Sequence, residues 1–359
     1  MGKLNVGFNY TRQHFEVLME LLREKQQTSP SQIWSIYGSP GTLNPFGSVR
    51  ETHREKTPEL DQVFEWFIQL KNNGIEINFA LNSLAPRTNE VGLCGVDGAR
   101  EKLYNYMNYW NGHVDNWIVS HPGIIDFIHR DMPTANIIVS TIMNVHTLPQ
   151  VQWIADNWPQ VSRICPAIEQ NRNFMWLRAA NSILPLELLA NEFCSMGGVD
   201  CEGLYRQACY WTQSMKLEGW CARDACMAQR KTHPVAWLQS RFILPQWMAR
   251  YTAETGVQHF KVTGRTHGPE FLKYIAETYM SEKATGNLLS LWGQLESTMK
   301  GKDQSKEQKK AEKGLYIPIG VLDDFEGYDK CLPDICGRMC QKCANTWKAY
   351  NGFNDGVSR

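Results

Sequence analysis

The sequence predicts an α/β chain closed as a (β/α)8 barrel of TIM type, with a long cysteine-rich insertion after strand 7 and a short cysteine-rich C-terminal tail. Three observations predict it. Short β-rich runs alternate with amphipathic helical patterns along most of the chain. The alternation repeats eight times, which favours a parallel sheet with helices on its outer face. Polar residues recur where the β-rich runs end, the place where such barrels keep their chemistry. A doubly wound open sheet is the alternative topology.

The eight runs, in order, are Leu4–Asn9, Ile33–Tyr37, Ile75–Leu81, Trp117–Ser120, Asn136–Ser140, Val161–Cys165, Leu186–Ala190 and His259–Thr263. Between the first two, Phe15, Leu18, Met19 and Leu22 fall at i, i+3, i+4 and i+7, one face of a helix. Leu60, Val63, Phe64 and Phe67 repeat the spacing after Pro58, a residue suited to a first helical turn. Pro122 opens another helix carrying Ile124, Ile125 and Ile128. The strand ends bring up Asn9, Tyr37 with Gly38, Asn82, Ser120 with His121, Ser140 with Thr141, Asn191 with Glu192, and Gly264 with Arg265. From these, Tyr37, Asn82, His121, Asn191 and Arg265 are candidates to bind substrate, and Glu192 and Arg265 are candidates for catalysis. Each could equally be a satisfied turn or cap residue. The guanidinium fork of Arg265 suits a carboxylate or phosphate, but it could instead pair with Glu192. Lys261, inside the eighth run, could face either way.

The connection after the seventh run, from Asn191 to Val257, is far longer than a βα unit needs. It holds Cys194, Cys201, Cys209, Cys221 and Cys226, close behind Glu192. A cysteine-rich insertion on the active face suits a metal cofactor, and the plainer reading is a lid packed with small apolar side chains. A second burst, Cys331, Cys336, Cys340 and Cys343, reads C-x4-C-x3-C-x2-C. Four soft ligands at that spacing suit zinc or an iron–sulfur cluster. Disulfides are the competing account, disfavoured if the compartment is reducing. The charged stretch 299–314 reads as a solvated linker. The expected division is therefore a barrel over 1–298 with the insertion at 191–257, the linker, and a cysteine-rich segment over 315–359.

Of the 359 residues, 43% are hydrophobic and 21% charged, an ordinary globular balance. Lys plus Arg equals Asp plus Glu at 37 each, so a general nucleic-acid binder loses weight, although a local basic groove would survive this argument. No apolar run approaches a membrane span. With no leader read at the N-terminus, the expected location is cytoplasmic and the sequon Asn9-Tyr10-Thr11 is expected to be accidental. Neither a phosphate-cradling loop nor a dinucleotide fingerprint is present.

Several stretches resemble the U32 collagenase-like peptidase family, in the branch related to the oxygen-independent hydroxylases. Ile36-Tyr37-Gly38 ends the second run, and Gly74 to Ser83 resembles the segment that closes on Leu-Asn. Asn171-Arg172-Asn173-Phe174 is similar to Asn-Arg-Asp-Phe, and Asn191-Glu192-Phe193-Cys194 to Asn-Glu-x-Cys. Phe260-Lys261-Val262-Thr263-Gly264-Arg265-Thr266 resembles Phe-Lys-Ile-x-Gly-Arg-Thr, with Gly286-Asn287-Leu288-Leu289 following. The resemblance implies a barrel holding a [4Fe–4S] cluster through cysteines after the seventh strand. Cys194 matches its first ligand, Cys201 a second and Cys226 a third. The fourth lies among Cys209, Cys221 and Cys94, with Cys209 taken here. The departure after Cys201, where Glu202 to Arg206 replaces Cys-Pro-x-Arg, puts the station of Arg206 in doubt. The C-terminal quartet is similar to a tail in some relatives and could hold a second cluster, or zinc.

The function implied is an iron–sulfur enzyme that hydroxylates, or otherwise modifies by redox chemistry, a small organic or RNA substrate. In the relatives that this resemblance points to, prephenate is the oxygen source in the better understood cases. Two other readings stand beside it. One is a non-catalytic, cluster-bearing subunit that relays electrons to, or stabilises, a homologous catalytic chain, with a homologous partner subunit or an electron donor as the expected partner. The other is a true peptidase, with Cys194 set against His121 or His267, for which the clustering of cysteines is the counter-argument.

Overall fold

The computed structural model describes residues 1–40, 59–82, 97–192, 235–265, 267–293, 317–322 and 340–355. Eight parallel strands run β1 Lys3–Gly7, β2 Gln32–Gly38, β3 Glu76–Leu81, β4 Asn116–Val119, β5 Ile137–Val139, β6 Val161–Ile164, β7 Glu187–Leu189 and β8 His259–Val262. Their order is β6-β5-β4-β3-β2-β1-β8-β7, every pairing parallel. The two outer strands then meet through the parallel bridge Ile164↔Leu186, where the Ile164 amide donates to the Pro185 carbonyl at 2.9 Å. That bridge closes the barrel, so the open doubly wound alternative is set aside.

The helices follow from local chemistry. In α1 (Arg12–Glu24) Thr11 caps the first turn, accepting from the His14 amide, while Phe15, Leu18, Leu21 and Leu22 are buried. In α2 (Leu60–Asn72) Val63, Trp66, Phe67 and Leu70 form the buried stripe. After α3 (Asp97–Tyr109), α4 (Pro122–Asp131) starts on Pro122 with His121 as its cap. A capping box of Thr147 and Gln150 starts α5 (Leu148–Asn157). Asn173 caps α6 (Phe174–Ile183) by accepting from the Trp176 amide. The short α7 (Ala236–Gln239) precedes α8 (Met248–Thr255), which ends on Gly256 at φ 77°, a left-handed stop that favours glycine. Then come α9 (Pro269–Met280) and α10 (Lys342–Asp355).

Strand residues divide by side. Leu4, Val6, Ile33, Ile36, Ile77, Phe79, Val119, Val139, Ile164, Leu188, Phe260 and Val262 join the large apolar shell shared with the helices. The alternate positions face the barrel axis, and those in its lower half are polar rather than branched aliphatics. Lys3 Nζ lies 4.1 Å from the Trp34 ring centre. Arg163 Nη2 donates to Glu76 Oε2 at 2.7 Å, and its Nη1 lies 3.2 Å from His259 Nδ1. Asn116 Nδ2 donates to Asn78 Oδ1 at 2.8 Å. Above this lies an apolar layer of Tyr37, Ala80, Ile118 and Ile138, continued by Cys165 and Leu189.

His259 supplies a pH test of this interior. Burial, with the charges of Arg163 and Lys3 beside it, holds its imidazole down at about 3 from an ordinary 6.5. The folded protein then binds fewer protons than the unfolded chain between those values. The stability this contributes is complete above pH 6.5 and is lost as pH falls toward 3. Unfolding by urea at pH 7 and at pH 5 is expected to differ by about 2 kcal/mol from this group. The His259→Gln variant, measured at the same two pH values, should lack that part of the difference.

Segments far along the chain return to the barrel. Leu288 donates to the Ile317 carbonyl at 2.8 Å, Ile319 to the Gly286 carbonyl at 2.9 Å, and Ile317, Ile319 and Leu322 enter the apolar shell. Cys343, on the first turn of α10, is buried with its thiol 3.5 Å from the Leu238 carbonyl oxygen, and Trp347 packs on the same shell. The start of α10, with Cys343, therefore packs back against α7. The charged stretch 299–314 lies outside the described residues.

Candidate functional site

The barrel interior along β7, β8 and β1 gathers further polar side chains. Lys261 points inward from β8, its Nζ 4.1 Å from the Tyr37 ring centre and 3.9 Å from Glu187 Oε2. Asn5 Nδ2 donates to the other oxygen, Glu187 Oε1, at 2.9 Å. Glu187 is wholly buried and Lys261 nearly so, with side-chain exposures of 0% and 8%. Arg265 stands over the same aromatic ring, its guanidinium carbon 5.6 Å from the Tyr37 centre. The Tyr37 hydroxyl donates to the Val262 carbonyl at 3.4 Å, which ties β2 to β8 across β1.

Gly7 makes this arrangement possible. A Cβ added there would lie 2.8 Å from Arg265 Cβ, 3.0 Å from the Arg265 amide nitrogen and 3.2 Å from the Tyr37 hydroxyl. Gly7→Ala is expected to lower stability by about 1–3 kcal/mol, the usual penalty of forcing extra volume into a packed site. A thermal unfolding scan would show it, and a scan unchanged from the parent would mean that the Arg265 backbone yields freely.

Cys165 lies beside Lys261, Glu187 and Glu192. Burial pushes its thiol up to about 12, an effect only partly opposed by Lys261. At neutral pH it is a protonated apolar side chain rather than a nucleophile.

The residues singled out from sequence are placed as follows. Tyr37 and Arg265 come together with Lys261. Asn82 accepts from the Ser120 hydroxyl at 3.1 Å. His121 accepts from the Gly123 amide at 3.1 Å, and partial burial lowers its pKa. Asn191 binds the protein itself: its Nδ2 donates to the carbonyls of Thr263 at 2.9 Å and Leu291 at 3.0 Å, while its Oδ1 accepts from the Thr263 amide and hydroxyl. Glu192 follows directly, half-buried at the rim. The rim candidates thus divide between Tyr37 with Arg265, at the cation site, and Asn82, His121 and Asn191, held in hydrogen bonds to the protein itself.

Sequence reasoning passed over Glu187 and Asn5 and left Lys261 undecided. Alternation of polar with apolar residues was the available signal, and in an ordinary half-exposed strand it marks the solvent face. Only closure of the barrel turns that face inward.

The cysteine-rich insertion is fixed at both ends on this face. Asn191 holds its start as described. Toward its far end, the Ile243 amide donates to the Ala190 carbonyl at 2.7 Å. Asn171 Nδ2 donates to the carbonyls of Leu189 and Arg241, and Arg172 donates to those of Leu238 and Phe242 at 3.3 Å each. The Arg172 guanidinium also lies 4.6 Å from the Phe242 ring centre. Trp237 stacks on Trp292 at 5.3 Å. Cys194, Cys201, Cys209, Cys221, Cys226, Cys331, Cys336 and Cys94 lie outside the described residues. Among the described residues no group of three or more His, Cys, Asp or Glu is placed to hold a metal. Cys340 lies two residues before α10 and Cys343 in its first turn, and their softness and spacing fit a zinc or iron–sulfur ligand pair.

No helix among the described residues is long and apolar enough to cross a membrane. No curated protein matches the chain. Among solved structures, a U32 peptidase is similar at 13% identity, covering 74% of this chain and 93% of its own, with a TM-score of 0.45. A monomeric dihydrodipicolinate synthase variant is similar at 11% identity, 81% and 96% coverage and a TM-score of 0.33. A GH113 β-1,4-mannanase is similar at 12% identity, 72% and 86% coverage and a TM-score of 0.36. At these scores the fold rests on the strand order and register above. Residues 62–174, from α2 to the first residue of α6, match the profile of Peptidase family U32. The family resemblance read from the sequence is borne out at that level, as a match to Peptidase family U32 over residues 62–174.

Proposed function

We propose that the chain is an iron–sulfur enzyme that carries out oxygen-independent hydroxylation, or a related redox modification, of a small organic or RNA substrate held at the barrel mouth. The observation that carries this reading is the anchoring of the cysteine-rich insertion. Asn191 and the Arg172-bound segment pin its two ends to the C-terminal face, so thiols within it begin three residues from the pinned Asn191. The proposed ligands are Cys194, Cys201, Cys209 and Cys226 for a [4Fe–4S] cluster. Cys331, Cys336, Cys340 and Cys343 are proposed for a second cluster or zinc. A bound cluster would supply electrons or a Lewis-acidic iron.

The chain's own residues have separable roles in this proposal. Arg265 and Lys261 orient an anionic group of the substrate, and Tyr37 fixes the height of both cations. Glu192, at the rim beside the insertion, accepts or returns a proton. Ala80, Ile118 and Ile138, buried in one layer with Tyr37, exclude water from the axis.

One observation favours a second reading, a cluster-bearing subunit that relays electrons to a homologous partner. Cys343, of the C-terminal quartet, lies against Leu238, which follows Cys226 of the insertion by twelve residues in sequence. An anaerobic assay separates the readings. The reduced chain, alone, is incubated with small-molecule and RNA extracts, and mass spectrometry follows the gain of an oxygen atom. Oxygenation by the single chain supports the enzyme, whereas oxygenation only after a homologous subunit is added supports the relay. Peptide cleavage without redox change would overturn both.

A further inference from the structure

The site's buried cation has a geometry that ordinary barrel packing does not explain. Lys261 keeps 8% side-chain exposure, while Glu187, one strand away, keeps none. Its only carboxylate neighbour among the described residues is Glu187 Oε2 at 3.9 Å, beyond hydrogen-bond reach. That oxygen is itself buried without a hydrogen bond, because Asn5 binds the other one. The three N–H groups of the ammonium are thus held near a ring face and a carboxylate without a hydrogen bond to either. A structural ion pair at this depth would be expected to close to direct contact, since desolvation makes a loose pair unfavourable. Arg265 supplies a second cation over the same ring.

We propose that Lys261, with Tyr37 and Arg265, forms a binding site for a carboxylate group of a small organic ligand. Glu187 and the Tyr37 ring hold the ammonium in place, and the ligand's carboxylate accepts the hydrogen bonds that Glu187 does not reach. Carboxylate is favoured over phosphate by depth. The penalty for moving an ion out of water rises with the square of its charge, and a monoanion is the oxyanion that a nearly buried lysine can compensate. Calling this ligand a substrate rests on the proposed function; the binding itself does not.

The test is isothermal titration of the full chain with acetate, benzoate, succinate and inorganic phosphate, with iron content measured on the same samples. Saturable binding of at least one carboxylate is expected. Lys261→Met should weaken it by roughly thirtyfold or more, the loss typical of removing one member of a buried charged pair. Lys261→Arg should retain most of the affinity. Glu187→Gln, which keeps an acceptor for Asn5 and removes the competing charge, should tighten binding. Should Lys261→Met not fold, the double variant Lys261→Met with Glu187→Gln removes both buried charges and must still lose the ligand.

Unchanged carboxylate affinity in a folded Lys261 variant would overturn the proposal, as would the absence of any saturable carboxylate. Saturation by phosphate alone would overturn the assignment of ligand class. Binding by a chain that carries no iron would leave this inference standing while removing the iron–sulfur function.

Discussion

Glu187→Leu is expected to lower the free energy of unfolding by about 3 kcal/mol, the lower end of the range for breaking a buried ion pair. The substitution leaves Lys261 nearly buried with no carboxylate beside it and takes from Asn5 the acceptor at 2.9 Å. The separation of 3.9 Å between the pair puts the effect at the lower end, because a loose pair has less Coulomb energy to lose. Adding Lys261→Met should recover most of the loss, since two matched apolar groups satisfy a barrel interior as well as a charge pair does. Urea unfolding of the two single variants and the double variant would complete the cycle. A Glu187→Leu variant within about 0.5 kcal/mol of the parent, the range of ordinary surface changes, would mean that Lys261 is solvated in the folded protein.

Arg172→Leu is the second large effect, with an expected loss of about 3 kcal/mol from its charge-assisted hydrogen bonds to Leu238 and Phe242 and its cation–π contacts with Phe242 and Trp247. Arg172 is fully buried, and its removal leaves the carbonyls of Leu238 and Phe242 without this donor. The loss should have a second readout. The segment that Arg172 holds closes the cysteine-rich insertion, so a chelator should strip metal faster from this variant than from the parent, although no thiol has changed. Equal rates would separate the strap from the metal centre and weaken the argument from anchoring.

The eight strands were legible because each carries apolar residues on its outer side, where they pack on amphipathic helices, and that pattern survives in sequence. Their starts were less so. The first strand runs Lys3–Gly7 rather than Leu4–Asn9, because Asn9 turns to accept from Thr11 at the entry to α1. The interior was not legible for a related reason. Asn5, Glu187 and Lys261 alternate with apolar neighbours as solvent-facing residues do, and only the ring closure at Ile164↔Leu186 makes that face internal. Asn191 shows the opposite case. Its position at a strand end marks it for a ligand in sequence, whereas its four hydrogen bonds join β7, β8 and the turn at Leu291. The Asn171-Arg172 pair was visible as a motif, but its task of fastening 238–242 depends on contacts about 70 residues apart, which spacing alone does not reveal.

The central claim is that thiols rooted on the barrel mouth hold an iron–sulfur cluster. Iron and acid-labile sulfide counted on anaerobically purified protein, with electron paramagnetic resonance after dithionite reduction, test it most directly. The account predicts roughly four or eight iron per chain with matching sulfide, as one or two cubane clusters require. Cys194→Ala should abolish the mouth cluster and spare the other centre, and Cys340→Ala should do the reverse. Zinc without sulfide, or a folded chain with no metal, would contradict the account.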